Sequence, residues 1–154
     1  MRFLILLSLL FLGACAAPMT KEERFALLTE INTQVNKEIK YRSEKKDVWH
    51  TYEEVMKTHK GDCEEFAIVK CTILTEKFHS DRDLEIIVAK SLKKSQAHAV
   101  LLVDGEYVLD NRSKNVYYFN EFAQEWEPTL ALKHCAAEEI KTVKGTAAKG
   151  SVSK

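Results

Sequence analysis

Gly61-Asp62-Cys63-Glu64-Glu65-Phe66-Ala67 decides how this chain reads. Asp62 is placed as a helix N-cap, with Glu65 as its partner three residues on. Behind it Phe66, Ala67, Cys71, Leu74 and Phe78 recur at helical spacing. The stretch predicts a helix from Cys63 to Phe78, entered through a turn at Gly61. Cys63 is then the first helical residue. Orphan backbone N–H groups and the positive end of the helix dipole surround that position, and both favour thiolate over thiol.

Upstream, Thr20-Lys21-Glu22-Glu23 is a capping box. Phe25, Leu28, Ile31, Val35 and Ile39 follow at helical spacing, so a first helix runs from Lys21 to Ile39. Tyr41 to Trp49 is polar and reads as a loop. Thr51-Tyr52-Glu53-Glu54 repeats the capping signal and starts a short helix ending at Thr58. Downstream the period changes to that of strands. Leu84 to Ala89 is β-rich, Ala97 to Val103 and Glu106 to Leu109 flank Asp104-Gly105, and Asn115 to Phe119 adds a short strand. Phe122 to His134, with Trp126 and Pro128, carries no clear period. Helices followed by an antiparallel meander make an α+β domain, placed over residues 18–141 with a disordered tail over 142–154.

Two further residues complete a constellation with Cys63. His98 lies in Gln96-Ala97-His98-Ala99-Val100, and Asp110 in Val108-Leu109-Asp110-Asn111. A thiol needs a base to take its proton, and a carboxylate on the second ring nitrogen fixes the tautomer and supports the imidazolium. Each residue alone has a structural alternative: a small buried apolar group, a strand histidine, a turn-starting aspartate. Their order, with a helix start at the cysteine, favours catalysis. The hairpin makes this testable. A two-residue Asp104-Gly105 loop pairs Val103 with Glu106 and sends His98 and Asp110 to opposite faces. A three-residue loop, pairing Leu102 with Glu106, puts them directly opposite each other. Turn propensity favours the first; catalysis requires the second or an equivalent bulge. The N–H of Cys63 would supply one oxyanion donor.

Gly61-Asp62-Cys63-Glu64-Glu65-Phe66-Ala67-Ile68-x-Lys70, His98-Ala99-Val100-Leu101 and Val108-Leu109-Asp110-Asn111 resemble the bacterial transglutaminase-like cysteine peptidases, of which the LapG-type periplasmic proteases are the characterised branch. Val35-Asn36, Ile39-x-Tyr41 and Trp49 are similar too, and the resemblance covers roughly residues 31–111. It implies a papain-like fold, with the cysteine helix packed on a small antiparallel sheet. It implies Cys63 as nucleophile, His98 as base and then acid, and Asp110 as the orienting residue. It also implies a protein or peptide substrate such as a surface adhesin, and calcium held by Asp62, Glu64 and Glu65, whose hard oxygens suit that ion. The chain departs from the family in having Glu65 where aspartate is usual, in a shorter segment before Gly61, and in its C-terminal third. Two alternatives share the fold: an inactive binding or regulatory lipoprotein, and an acyl transferase using the same three residues.

Residues 1–17 read as an export signal, with basic Arg2, an apolar run from Phe3 to Leu12 and small residues after it. Leu12-Gly13-Ala14-Cys15 resembles a lipobox, which would place a lipid on Cys15 and the protein in the periplasm at the outer membrane; a plain cut after Ala16 competes. With Cys15 lipidated three thiols remain, and an oxidising compartment favours pairing two of them. Pairing Cys71 with Cys135 leaves Cys63 free, although Cys71 also fits an ordinary buried residue. The full chain of 154 residues balances 23 basic against 23 acidic residues. With no basic stripe, nucleic acid is not an expected partner. The histidines lack zinc-ligand spacing.

Overall fold

The computed structural model describes residues 19–43, 48–80, 82–133 and 135. The leader, Cys15 and the 142–154 tail lie outside these residues. The chain runs α1 (Lys21–Glu38), β1 (Lys40–Tyr41), α2 (Tyr52–Thr58), β2 (Lys60–Gly61), α3 (Cys63–Phe78), β3 (Leu84–Ser91), β4 (Ala97–Val103), β5 (Tyr107–Leu109), β6 (Tyr117–Tyr118), α4 (Phe119–Phe122) and β7 (Trp126–Leu132). The three longer helices each begin where a cap was expected. Thr20 and Glu23 exchange bonds of 2.9 and 3.2 Å, and Thr51 and Glu54 do the same at 2.7 and 3.3 Å.

Five strands form an antiparallel sheet in the order β6-β5-β4-β3-β7. On one face Leu84, Ile86, Leu101, Val103 and Leu109 pack with Leu28, Val35, Ile68 and Leu74 of α1 and α3. Alternation sends Ile87, Ala89, Val100, Leu102 and Val108 to the other face, under Phe122 and Trp126. Cys71 and Cys135 are joined by a disulfide that ties α3 to the segment after β7, and Cys63 is free.

Three features differ from the sequence reading. The polar segment after α1 contributes β1, which pairs in parallel with β2 through Tyr41 and Gly61. The aperiodic Trp126 segment is strand β7, on the edge of the sheet against β3. Pro128 is tolerated there because an edge strand with a register shift, here between Val88 and Ala89, can lose a ladder donor. The hairpin follows neither expected register. Asp104 and Gly105 take left-handed φ of 57° and 67°, and Glu106 N donates to Val103 O at 3.0 Å, as a two-residue turn would. Yet Val103 pairs with Tyr107, leaving Glu106 as an extra residue. That insertion restores the parity that puts His98 and Asp110 on one face, offset diagonally by two residues instead of directly opposite.

Candidate active site

Cys63 stands at the first position of α3, half-buried. Asp62 N donates to Glu65 Oε2 at 2.8 Å, and His50 N donates to Glu65 Oε1 at 3.0 Å. The Glu65 carboxylate is thus turned inward, fully buried, as the peg that holds the loop before α3. Gly61 is required there for a reason other than a turn. An ideal Cβ on it would lie 2.4 Å from Glu65 Cβ, so only glycine lets the strand pass the helix. Glu64 lies beside the thiol, and Cys63 Sγ donates to its Oε2 at 3.0 Å.

The electrostatics at the sulfur differ from the helix-start expectation. Burial, the Glu64 carboxylate and its hydrogen bond, and Asp62 together push the Cys63 thiol well above its ordinary value, against a backbone hydrogen bond from Ala99 that lowers it. Glu64 is pushed up to about 8 by burial and by its hydrogen bond to Asp62, and Glu65 to about 7 for the same reasons. Two carboxylates and a thiol crowd one spot. Ligand atoms of Asp62, Cys63 and Glu64 lie within 4.8 Å of one another. Asp62 and Glu64 offer oxygens suited to calcium, whereas both Glu65 oxygens are occupied by backbone N–H groups.

His98 and Asp110 are both buried, with His98 Nε2 and Asp110 Oδ1 2.9 Å apart. Asp110 also accepts from Arg112 N at 2.8 Å and from Tyr117 Oη at 2.9 Å. Burial alone would raise its carboxyl, but these three partners overcome it and hold the group below its usual range. The ring of His98 packs on Trp126 with centroids 5.0 Å apart. The loop carrying Asp110 is clamped from α1: Asn36 Nδ2 donates to Asp110 O and Ser113 O, and Asn32 Nδ2 to Ser113 O, each at 2.9 Å. Cys63 and His98 line one cleft of about 520 Å³, whose wall includes Tyr41, Asn111 and Trp126.

Tyr117, Arg112 and Trp126 were not singled out from the sequence, and nothing local marks a tyrosine as a partner for an aspartate seven residues away. Asn32 did carry a signal. It is a polar residue inside the Leu28, Ile31, Val35 stripe, and it is fully buried. Lys70, a lysine on the buried side of α3, is another: it is fully buried, with no hydrogen-bond partner at Nζ among the described residues, 5.8 Å from the centre of the Phe66 ring.

The family model for bacterial transglutaminase-like cysteine proteinases matches residues 14–135. Among solved structures, Legionella pneumophila LapG is similar at 26% identity and a TM-score of 0.62, over 70% of this chain and 64% of that one. Its calcium-bound form gives 24% identity and 0.64, over 74% and 67%, and its EGTA-treated form 26% and 0.63, over 70% and 62%. The chain therefore spans about two thirds of the length of these structures. No curated protein matched.

Proposed function

Because the chain belongs to the bacterial transglutaminase-like cysteine proteinase family, we propose that it is a thiol peptidase in which Cys63 is the nucleophile, His98 the base and Asp110 the residue that orients it. The observation that carries this reading is that His98, paired with the buried Asp110, lines the same cleft as Cys63. With Nε2 held by Asp110, Nδ1 is the ring nitrogen left for the thiol proton. As Nδ1 takes that proton, Sγ attacks the substrate carbonyl carbon. The oxyanion forms against the orphan N–H of Cys63 at the helix start. The imidazolium then gives its proton to the departing amine, leaving a thioester. Water, deprotonated by the same nitrogen, releases the acid.

Asp62 and Glu64 would hold a divalent cation, and calcium is the ion carried over from LapG. When bound, it neutralises the carboxylates beside the sulfur. The leader read in residues 1–17 supports export, and Cys15 a lipid anchor at the outer membrane on the periplasmic side. A surface adhesin is the substrate class that the resemblance to LapG-type proteases suggests.

The test is digestion of a mixed peptide pool with calcium present, by wild type, Cys63→Ala and His98→Ala. New N-termini from wild type only, with circular dichroism unchanged in both variants, is the expected result. Cleavage by either variant overturns the assignment. Added hydroxylamine or a primary amine separates hydrolysis from acyl transfer, because a transferase incorporates the amine more readily than water.

A further inference from the structure

The cleft is uneven in charge. Among the described residues its lining holds two cations, Lys94 and Arg112, and no carboxylate, although the Glu64 carboxylate reaches to within 3.0 Å of the Sγ of Cys63, another lining residue. The chain as a whole is balanced at 23 basic and 23 acidic residues, so this surplus is local.

The backbone that carries each cation is fixed by hydrogen bonds. Lys94 sits in the β3–β4 connection, where Ser91 Oγ accepts from Lys93 N and Lys94 N at 3.2 and 3.1 Å. Gln96 N donates to Lys94 O, and Ser91 N to Gln96 O, each at 2.9 Å. The neighbouring Lys93 is paired with Glu125 at 3.0 Å, while the ion pairs among the described residues do not include Lys94 or Arg112. Arg112 is fixed through its N–H on Asp110, and its guanidinium lies 5.3 Å over the Trp126 ring. A planar guanidinium so placed presents donors in a geometry that matches a carboxylate.

The side of the cleft matters. Lys94 precedes His98 on the same hairpin, and Arg112 follows Asp110 by two residues. The imidazolium must deliver its proton to the departing amine, so the leaving half of a substrate runs past His98. The cations line the cleft that holds His98.

We propose that the cleft selects peptides with an acidic side chain in the half that leaves as the amine, read by Lys94 and Arg112. This deepens the peptidase reading above and rests on it. Tyr41 and Trp126 offer the apolar walls against which the peptide lies, and the two cations set its charge preference.

The test is to digest a proteome-derived peptide pool with wild type and calcium, and to sequence the new N-termini by mass spectrometry. Asp and Glu should be enriched about tenfold over the starting pool within the first three positions after the cut, as expected for charge-assisted contacts in a partly shielded cleft. The Lys94→Glu/Arg112→Glu variant should reverse the preference toward Lys and Arg. A flat profile, an acidic preference confined to the acyl half, or a preference that survives charge reversal overturns the proposal. Retention of the same pool on immobilised Cys63→Ala separates the two claims. Selective retention of acidic peptides with no cleavage by wild type sinks the peptidase and keeps the charge reading. Retention blind to charge sinks the charge reading, whether or not wild type cleaves.

Discussion

Gly61→Ala tests whether the loop before the nucleophile is built as described. The new Cβ would sit 2.4 Å from Glu65 Cβ and 2.8 Å from its Cγ. Neither partner can yield cheaply. Gly61 is paired with Tyr41, and its carbonyl accepts from Arg42 N at 2.8 Å. Glu65 holds the N–H groups of Asp62 and His50. Overpacking of this kind costs about 1–3 kcal/mol, and loosening two bonds to a carboxylate adds roughly 1 kcal/mol or more. The expected loss is therefore about 2–4 kcal/mol, or roughly 10 °C in Tm. Because the collision is with Cβ, Glu65→Ala should not relieve it, whereas Glu65→Gly should. Urea unfolding of the double-mutant cycle reads this directly. The Gly61→Ala cost should fall close to zero in the Glu65→Gly background. A cost under about 0.5 kcal/mol in the wild-type background, or an equal cost in both, would refute the close-approach argument.

Tyr117→Phe removes one of the partners that keep Asp110 ionised. Its carboxyl is depressed in the folded state, so it stabilises the fold above its unfolded pKa and that contribution is lost as pH falls through the folded value. The variant should unfold at a higher pH on acidification, and the acid limb of its kcat/KM profile should move the same way; superimposable profiles would refute this. Lys70 is pushed down to about 7 by burial, partly offset by the Asp110 charge, so between that value and its ordinary pKa the unfolded chain binds more protons. Lys70→Met should be more stable than wild type by a few kcal/mol at pH 6, with the gain shrinking towards pH 10; denaturant titrations at the two pH values measure it, and an equal difference at both counts against a buried unpaired amine. Asp62→Asn/Glu64→Gln should abolish calcium uptake in calorimetry and make any activity insensitive to EGTA, while uptake unchanged from wild type would remove these residues from the site.

What the sequence disclosed depended on how local its signal was. The caps at Thr20, Thr51 and Asp62 act within four residues, and β4 has a turn at one end and an unbroken apolar run, so those elements were readable from their own residues. Strand β7 had no such signal. Its partner is β3, some 40 residues away, and Pro128 argues against a strand unless the edge position is known. The hairpin was half readable. Asp104-Gly105 made the turn that propensity expects, but the extra residue Glu106 is stabilised by Phe119 N donating to its carbonyl at 2.8 Å, a contact from the next strand pair. At the site, the order of Cys63, His98 and Asp110 was visible. The Asn36 clamp and the inward turn of Glu65 were not, because both depend on what another element brings to them.

The charge on Cys63 is where a local rule met a stronger neighbour. A helix start favours an anion by about 0.3–1 kcal/mol, and by about 2 kcal/mol in a partly buried geometry. Against it stand desolvation, the Glu64 carboxylate accepting the thiol proton in a hydrogen bond, and Asp62 beside it. Each pK unit they add is about 1.4 kcal/mol against the thiolate, and together they exceed the dipole. Burial and the two neighbouring carboxylates therefore disfavour the thiolate at Cys63 by more than the helix start favours it. On the peptidase reading proposed above, proton removal by His98 belongs to the attack itself, and a change that neutralises Asp62 and Glu64 lowers the same barrier. The acidic pair beside Cys63 thus opposes thiolate formation, and a cation bound to it would remove that opposition. An uncharged pair, as in Asp62→Asn/Glu64→Gln, should accordingly lower the pH at which iodoacetamide labels Cys63 in the absence of calcium.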